Sequence, residues 1–123
     1  MIRGVVNARL EAVVRLRVRG PGSAEVEVDA VVDTGFTSSL TLPADTVEAL
    51  GLTRQSGGGA ILADGSVRQF DSFAAEVAWN DGWRPILVYT VGAEALLGML
   101  LLAGHELRVE VIPGGSVAID PLP

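Results

Sequence analysis

Cysteine is absent, which excludes a disulfide framework, a thiolate nucleophile and a zinc site built on thiolates. Lysine is absent too: the 9 basic residues are all arginine and stand against 15 acidic ones, for a net charge of -6. That balance excludes a surface that coats nucleic acid. It also excludes a phosphate-binding loop at Gly57-Gly58-Gly59, which would need a lysine; the glycines are read as a connection. There is one histidine, His105, and no G-x-S-x-G stretch, so a hydrolytic triad has no base in a suitable setting. Following Gly104, His105 is read as satisfying the last carbonyls of a helix. No spaced cluster of histidines and carboxylates calls for a metal, and nothing calls for another cofactor. Aromatic residues make up 5%; Trp79 and Trp83, beside a turn, are read as cross-strand packing rather than as a binding platform. The longest apolar run, Ala95 to Ala103, falls far short of the ~20 residues a membrane helix needs and is read as buried core. Met1-Ile2-Arg3-Gly4 opens no secretory segment, so the expectation is a cytoplasmic protein with no membrane partner.

What is present is a chain of 123 residues, 49% apolar and 20% charged, the size and composition of one domain spanning residues 1–123. Its patterning is that of strands. Arg15-Leu16-Arg17-Val18-Arg19 and Glu25-Val26-Glu27-Val28-Asp29 alternate with period two, and Gly20-Pro21-Gly22-Ser23 turns the chain between them. Placing the apolar set on one face pairs Arg19 with Glu25, Arg17 with Glu27 and Arg15 with Asp29.

Ala30-Val31-Val32 reads as the same strand entering the interior, and it runs into Asp33-Thr34-Gly35. Ser39 to Leu42 is a further strand, and Pro43 to Leu50 a short helix stopped by Gly51. Ala60 to Ala63 and Ser66 to Phe73 are expected to form a hairpin about a two-residue Asp64-Gly65 turn. A second hairpin turns at Asn80-Asp81-Gly82, between Ala74–Trp79 and Arg84–Val91, with Pro85 expected at an edge. Leu96 to Gly104 reads as an apolar turn into a short buried helix. A last hairpin alternates through Leu107, Val109 and Val111, turns at Pro113-Gly114-Gly115, and returns through Val117 and Ile119.

The candidate for chemistry is Asp33. A carboxylate that follows a buried strand stands where its ionisation is open to tuning. The same triplet also suits a plain turn in which Asp33 caps backbone amides and Gly35 takes a positive φ.

In order, Val31-Val32-Asp33-Thr34-Gly35, Leu40-Thr41-Leu42-Pro43, a hairpin around Asp64-Gly65, and Leu96-Leu97-Gly98 before a short helix resemble the retropepsin-like aspartic proteases, in particular small bacterial members with a DTGF-type loop. The resemblance covers the whole chain. It implies a mainly β fold, a closed acid-protease-type barrel with one or two short helices and one aspartate loop per chain. It also implies an aspartic endopeptidase in which Asp33 from both subunits of a homodimer activates water against an extended peptide. Thr34 would bond to the partner loop, and Gly35 would allow close approach. Phe36, Ile61, Leu62, Ala63, Asp64 and Gly65 would line the substrate side, most of them on a mobile flap. Leu96, Leu97 and Gly98 would thread beside the aspartate loop.

Phe36 stands where the retroviral members often carry alanine, and the flap tip lacks their run of glycines. The chain also continues past the late helix; Met1–Val6 and Ser116–Leu122 are the segments the resemblance offers for a dimer sheet. A second reading of the same fold is a catalytically inactive dimerisation or peptide-binding module.

Overall fold

The computed structural model describes residues 1–55, 59–61, 64–65, 67–69 and 71–123, of which 59–61 and 67–69 are described by backbone alone. The architecture is mainly β with two short helices. In chain order the elements are β1 (Ile2–Val6), β2 (Ala12–Arg19), β3 (Glu25–Val32), β4 (Leu40–Thr41), α1 (Ala44–Leu50), β5 (Thr53–Gln55), β6 (Gly59–Ile61), β7 (Val67–Gln69), β8 (Ser72–Trp79), β9 (Gly82–Tyr89), β10 (Leu96–Leu97), α2 (Met99–Leu102), β11 (His105–Val109) and β12 (Ser116–Pro121).

β2 and β3 pair with Arg19 opposite Glu25, Arg17 opposite Glu27 and Arg15 opposite Asp29, the register set by keeping Leu16 and Val18 inside. The side chains do not all meet the residue opposite. Arg15 bonds Asp29 at 3.0 Å, but Arg17 reaches diagonally to Glu25 at 2.7 Å, and Arg19 turns to Glu76 on β8 at 3.0 Å. Diagonal neighbours on a twisted pair are within reach of long side chains.

Six strands close into a barrel in the order β2-β3-β10-β4-β9-β8, with β8 returning to β2 through Val77 opposite Val18. Closure shortens the exposed edges that an open sheet of these strands would have. The interior is filled by Leu16, Val18, Leu40, Leu42, Val77, Val88, Leu97 and Leu101, each nearly or wholly buried. β1, β12 and β11 extend the sheet from the first half of β2, and β5 lies along the start of β8.

β8 and β9 meet in the two-residue turn Asn80-Asp81, both with positive φ, the geometry that suits the twist of a hairpin. Trp79 and Trp83 are one residue out of register across it, so they face opposite sides. Trp79 is buried edge-on against His105, whereas Trp83 lies under the guanidinium groups of Arg17 and Arg19. They do not pack on each other. Pro85 pairs with Glu76 on one side, and β4 reaches only Val88 and Tyr89 on the other, so it sits where β9 has an open edge. His105 Nδ1 bonds the Ala103 carbonyl at 2.9 Å, as expected of a residue closing a helix end.

Several expectations are corrected. The β6–β7 hairpin pairs Ile61 with Val67, a register that a two-residue Asp64-Gly65 turn would not give; Leu62, Ala63 and Ser66, also part of that expectation, lie outside the described residues. The expected return strand is two strands: β7 pairs with β6, while β8 begins at Ser72 and belongs to the barrel. Of the apolar run expected to be buried, Met99 and Leu100 are exposed, because α2 is a single turn and turns only one side to the core. Val111 lies beyond β11 and is exposed. The segments offered for a dimer sheet are already used within the chain: β1 lies between β12 and β2, and β12 between β11 and β1. Joining a partner's sheet would first require breaking those ladders.

Candidate functional site

Asp33 follows directly on β3, and its position is fixed by the two-residue strand β10. β10 runs parallel to β3, with Leu96 opposite Val31 and Leu97 opposite Val32. It runs antiparallel to β4 on its other side, with Leu97 opposite Leu40. The Asp33 N–H donates to the Leu97 carbonyl at 2.9 Å, so the residue that follows the strand is tied to the neighbouring backbone. The loop after it is fastened in the same way. Gly98 N–H donates to the Ser39 carbonyl at 2.9 Å, Met99 N–H to Phe36 at 2.8 Å, and Phe36 N–H to the Asp33 carbonyl at 3.1 Å.

Gly98 is required by close approach. A Cβ there would fall well inside contact distance of the Ser38 carbonyl oxygen and 2.6 Å from the Phe36 ring. The apolar-apolar-Gly segment and the aspartate loop therefore interlock through main-chain bonds, and Leu97, wholly buried, anchors the join in the barrel core.

Asp33 is half-buried, and Thr34 and Gly35 beyond it are exposed. Gly35 N–H donates to Asp33 Oδ1 at 2.9 Å, among the described residues the carboxylate's one hydrogen bond. Gly35 is not among the residues with positive φ, which corrects the reading of this triplet as a turn needing left-handed glycine. Phe36 is half-buried beside Gly98. Asp33 enters no ion pair among the described residues. Its surroundings in sequence are unusual for this chain: residues 34–44 and 95–104 carry no charged side chain, although one residue in five is charged overall.

Asp64 and Gly65 are exposed in the connection of the β6–β7 hairpin, with Gly65 at φ +83°. This hairpin is a two-stranded sheet of its own. Ile61 ends β6, while Leu62 and Ala63 lie outside the described residues. The structure thus brings Asp33, Thr34, Gly35, Phe36, Leu96, Leu97 and Gly98 together at one end of the barrel. Clefts of about 410 Å³ (Ser38, Pro85, Leu87, Leu100) and about 570 Å³ (Val31, Glu94, Ala95) border these segments but are not lined by Asp33. Among the described residues no group of three or more His, Asp or Glu side chains could hold a metal ion, and no helix is long and apolar enough to cross a membrane.

One contributor went unnoticed in the sequence. Thr41 is 1% exposed, its Oγ1 accepting the Leu96 N–H at 2.8 Å and donating to the Glu94 carbonyl at 3.0 Å. Its signal is a hydroxyl between two leucines in a strand of the core, Leu40-Thr41-Leu42, since a buried hydroxyl needs a partner. Comparison of the chain with family models, with curated proteins and with solved structures found no match.

Proposed function

We propose that this chain is an aspartic endopeptidase with an acid-protease-type barrel, acting as a homodimer in which Asp33 of each copy contributes one carboxylate to a shared site. The observation that carries the reading is the interlock of Leu96-Leu97-Gly98 with the Asp33 loop, joined by the bond from Asp33 N–H to the Leu97 carbonyl. It holds a half-buried carboxylate directly after a barrel strand, and Thr34 and Gly35 beyond it are exposed, open to a second copy.

One carboxylate has half of the chemistry. Hydrolysis of a peptide bond needs an ionised carboxylate to take a proton from water as the water oxygen attacks the carbonyl carbon. It also needs a neutral carboxylic acid to hydrogen-bond to the carbonyl oxygen. Collapse of the tetrahedral intermediate breaks the C–N bond, and the amine leaves with a proton. Two aspartates side by side supply both forms, because like charges ~3 Å apart share one proton more readily than both ionise. The Gly35 amide on Oδ1 orients the carboxylate, and the uncharged stretches 34–44 and 95–104 add no fixed charge to the pair. In this arrangement Thr34 would bond across to the partner loop, and the β6–β7 hairpin would cover an extended peptide.

A second reading, a catalytically silent module of the same shape, draws on one specific observation. The bond from Gly35 N–H to Asp33 Oδ1 is also what a purely structural turn aspartate makes. Cleavage of an unfolded protein at mildly acidic pH separates the two. Asp33→Asn should lower the rate at least ~100-fold, the least that loss of a general acid–base group costs. Equal rates from native and variant protein would reject the peptidase reading.

A further inference from the structure

We infer that Thr41 is a positioning residue for Asp33, acting through β10; the inference rests on the proposed role of Asp33 and reaches a side chain outside the aspartate loop. β4 and β10 share a single ladder position, Leu97 opposite Leu40, while on its other side β4 pairs with β9 at both Leu40 and Thr41. The Leu96 N–H and the Glu94 carbonyl are met by a side chain. The Thr41 hydroxyl, itself buried, takes the first and gives to the second. A buried backbone group left without a partner is costly, so the hydroxyl fixes where the segment from Glu94 to Leu96 lies.

The consequence reaches Asp33 in three bonds. Thr41 Oγ1 holds Leu96 N–H; on the opposite edge of the same strand, the Ala95 carbonyl accepts from Val31 N–H and the Leu97 carbonyl accepts from Asp33 N–H, both at 2.9 Å. β10 has only two residues, so this side-chain bond adds to the one ladder position and the Gly98–Ser39 bond that hold it on the β4 side. A shift of β10 would move the backbone on which the carboxylate is mounted, and misplacement by about 1 Å is enough to cost ~100-fold in a reaction that depends on geometry.

The test compares Thr41→Val, which keeps the shape and loses both bonds, with Thr41→Ser, which keeps both. Amide hydrogen exchange is read at Leu96, Asp33 and, as a remote control, Val77. Thr41→Val should speed exchange at Leu96 and Asp33 at least about tenfold and leave Val77 unchanged, with Thr41→Ser close to native. In the cleavage assay Thr41→Val should lower kcat with KM little changed, and Thr41→Ser should restore it. Native exchange at Asp33 in Thr41→Val, or an equal effect at Val77, would overturn the inference. Should Thr41→Val not fold, the native protein still decides: the Thr41 hydroxyl proton should exchange slowly enough to be seen by NMR beside the Leu96 amide, and its absence there overturns the proposal. If the exchange pattern holds and the native protein cleaves nothing, the peptidase reading fails alone.

Discussion

The β2–β3 hairpin and the β10 crossing beside Asp33 are built on opposite principles. The hairpin joins strands six residues apart in the chain, shows arginines and acids to solvent, and buries only alternate side chains. The crossing inserts two residues from late in the chain between strands from its first half, carries no charge, and is held by main-chain bonds and one buried hydroxyl. Specificity in the first is distributed over many weak terms, so no single residue should be critical. In the second it is concentrated in a few atoms, and a candidate site belongs where the backbone has least freedom.

That contrast yields a graded set of outcomes. The largest is expected at Gly98→Ala, where the added methyl meets the Ser38 carbonyl and the Phe36 ring; the backbone must shift, at a cost of about 3 kcal/mol or more. Gly22→Ala in the hairpin turn, with open space around it, should stay within about 0.5 kcal/mol of native. Urea denaturation midpoints read both, and similar losses would erase the distinction between the two regions. Next is Leu97→Ala, which removes a wholly buried side chain and should cost about 2–5 kcal/mol by the same measurement. A loss below about 1 kcal/mol would mean that β10 is not anchored in the core.

A smaller effect is expected in the hairpin. Arg17→Ala breaks the ion pair with Glu25 and the contact with Trp83, on a largely exposed face, and should cost at most about 1 kcal/mol, less in high salt. A loss as large as that of Leu97→Ala would show the charged face to be the main determinant of the register.

The smallest effect is a pH dependence at the far end of the sheet. The Ser116 hydroxyl and amide hold the Glu110 carboxyl below its usual value. A depressed carboxylate stabilises the fold above its unfolded-state pKa and loses that contribution as pH falls through the folded value. The melting-temperature difference between native protein and Glu110→Gln should thus be present at neutral pH and fade in acid. A difference constant with pH would contradict this.

The two regions were also unequally legible. Period-two alternation gave β2, β3 and their register, because one slipped residue would expose Leu16 and Val18. It did not give the ion pairs, since twist carries Arg17 to Glu25 and Arg19 across to β8. β10 has no period to read: Leu96-Leu97 is indistinguishable in pattern from the helix that follows, and its parallel pairing with β3 is a long-range contact. Its place beside Asp33 was anticipated only through resemblance to a family with the same two motifs in the same order. The Asp64-Gly65 dipeptide pointed to a tight turn because that pair favours one; the register instead follows from pairing Gly59 with Gln69 and Ile61 with Val67. Exposure of Met99 and Leu100 was hidden because composition does not say which side of a single helical turn meets the core. Thr41 passed unnoticed because its partners, the Leu96 amide and the Glu94 carbonyl, lie more than fifty residues away.

The most direct test is the separation of the two Asp33 carboxylates in a structure of the self-assembled protein. The account predicts oxygen atoms ~3 Å apart, close enough to share a proton, with the Thr34 hydroxyls bonded across the twofold axis. An assembly that keeps the aspartates on separate faces, or a protein that remains a single copy at the concentrations where it is assayed, would contradict it.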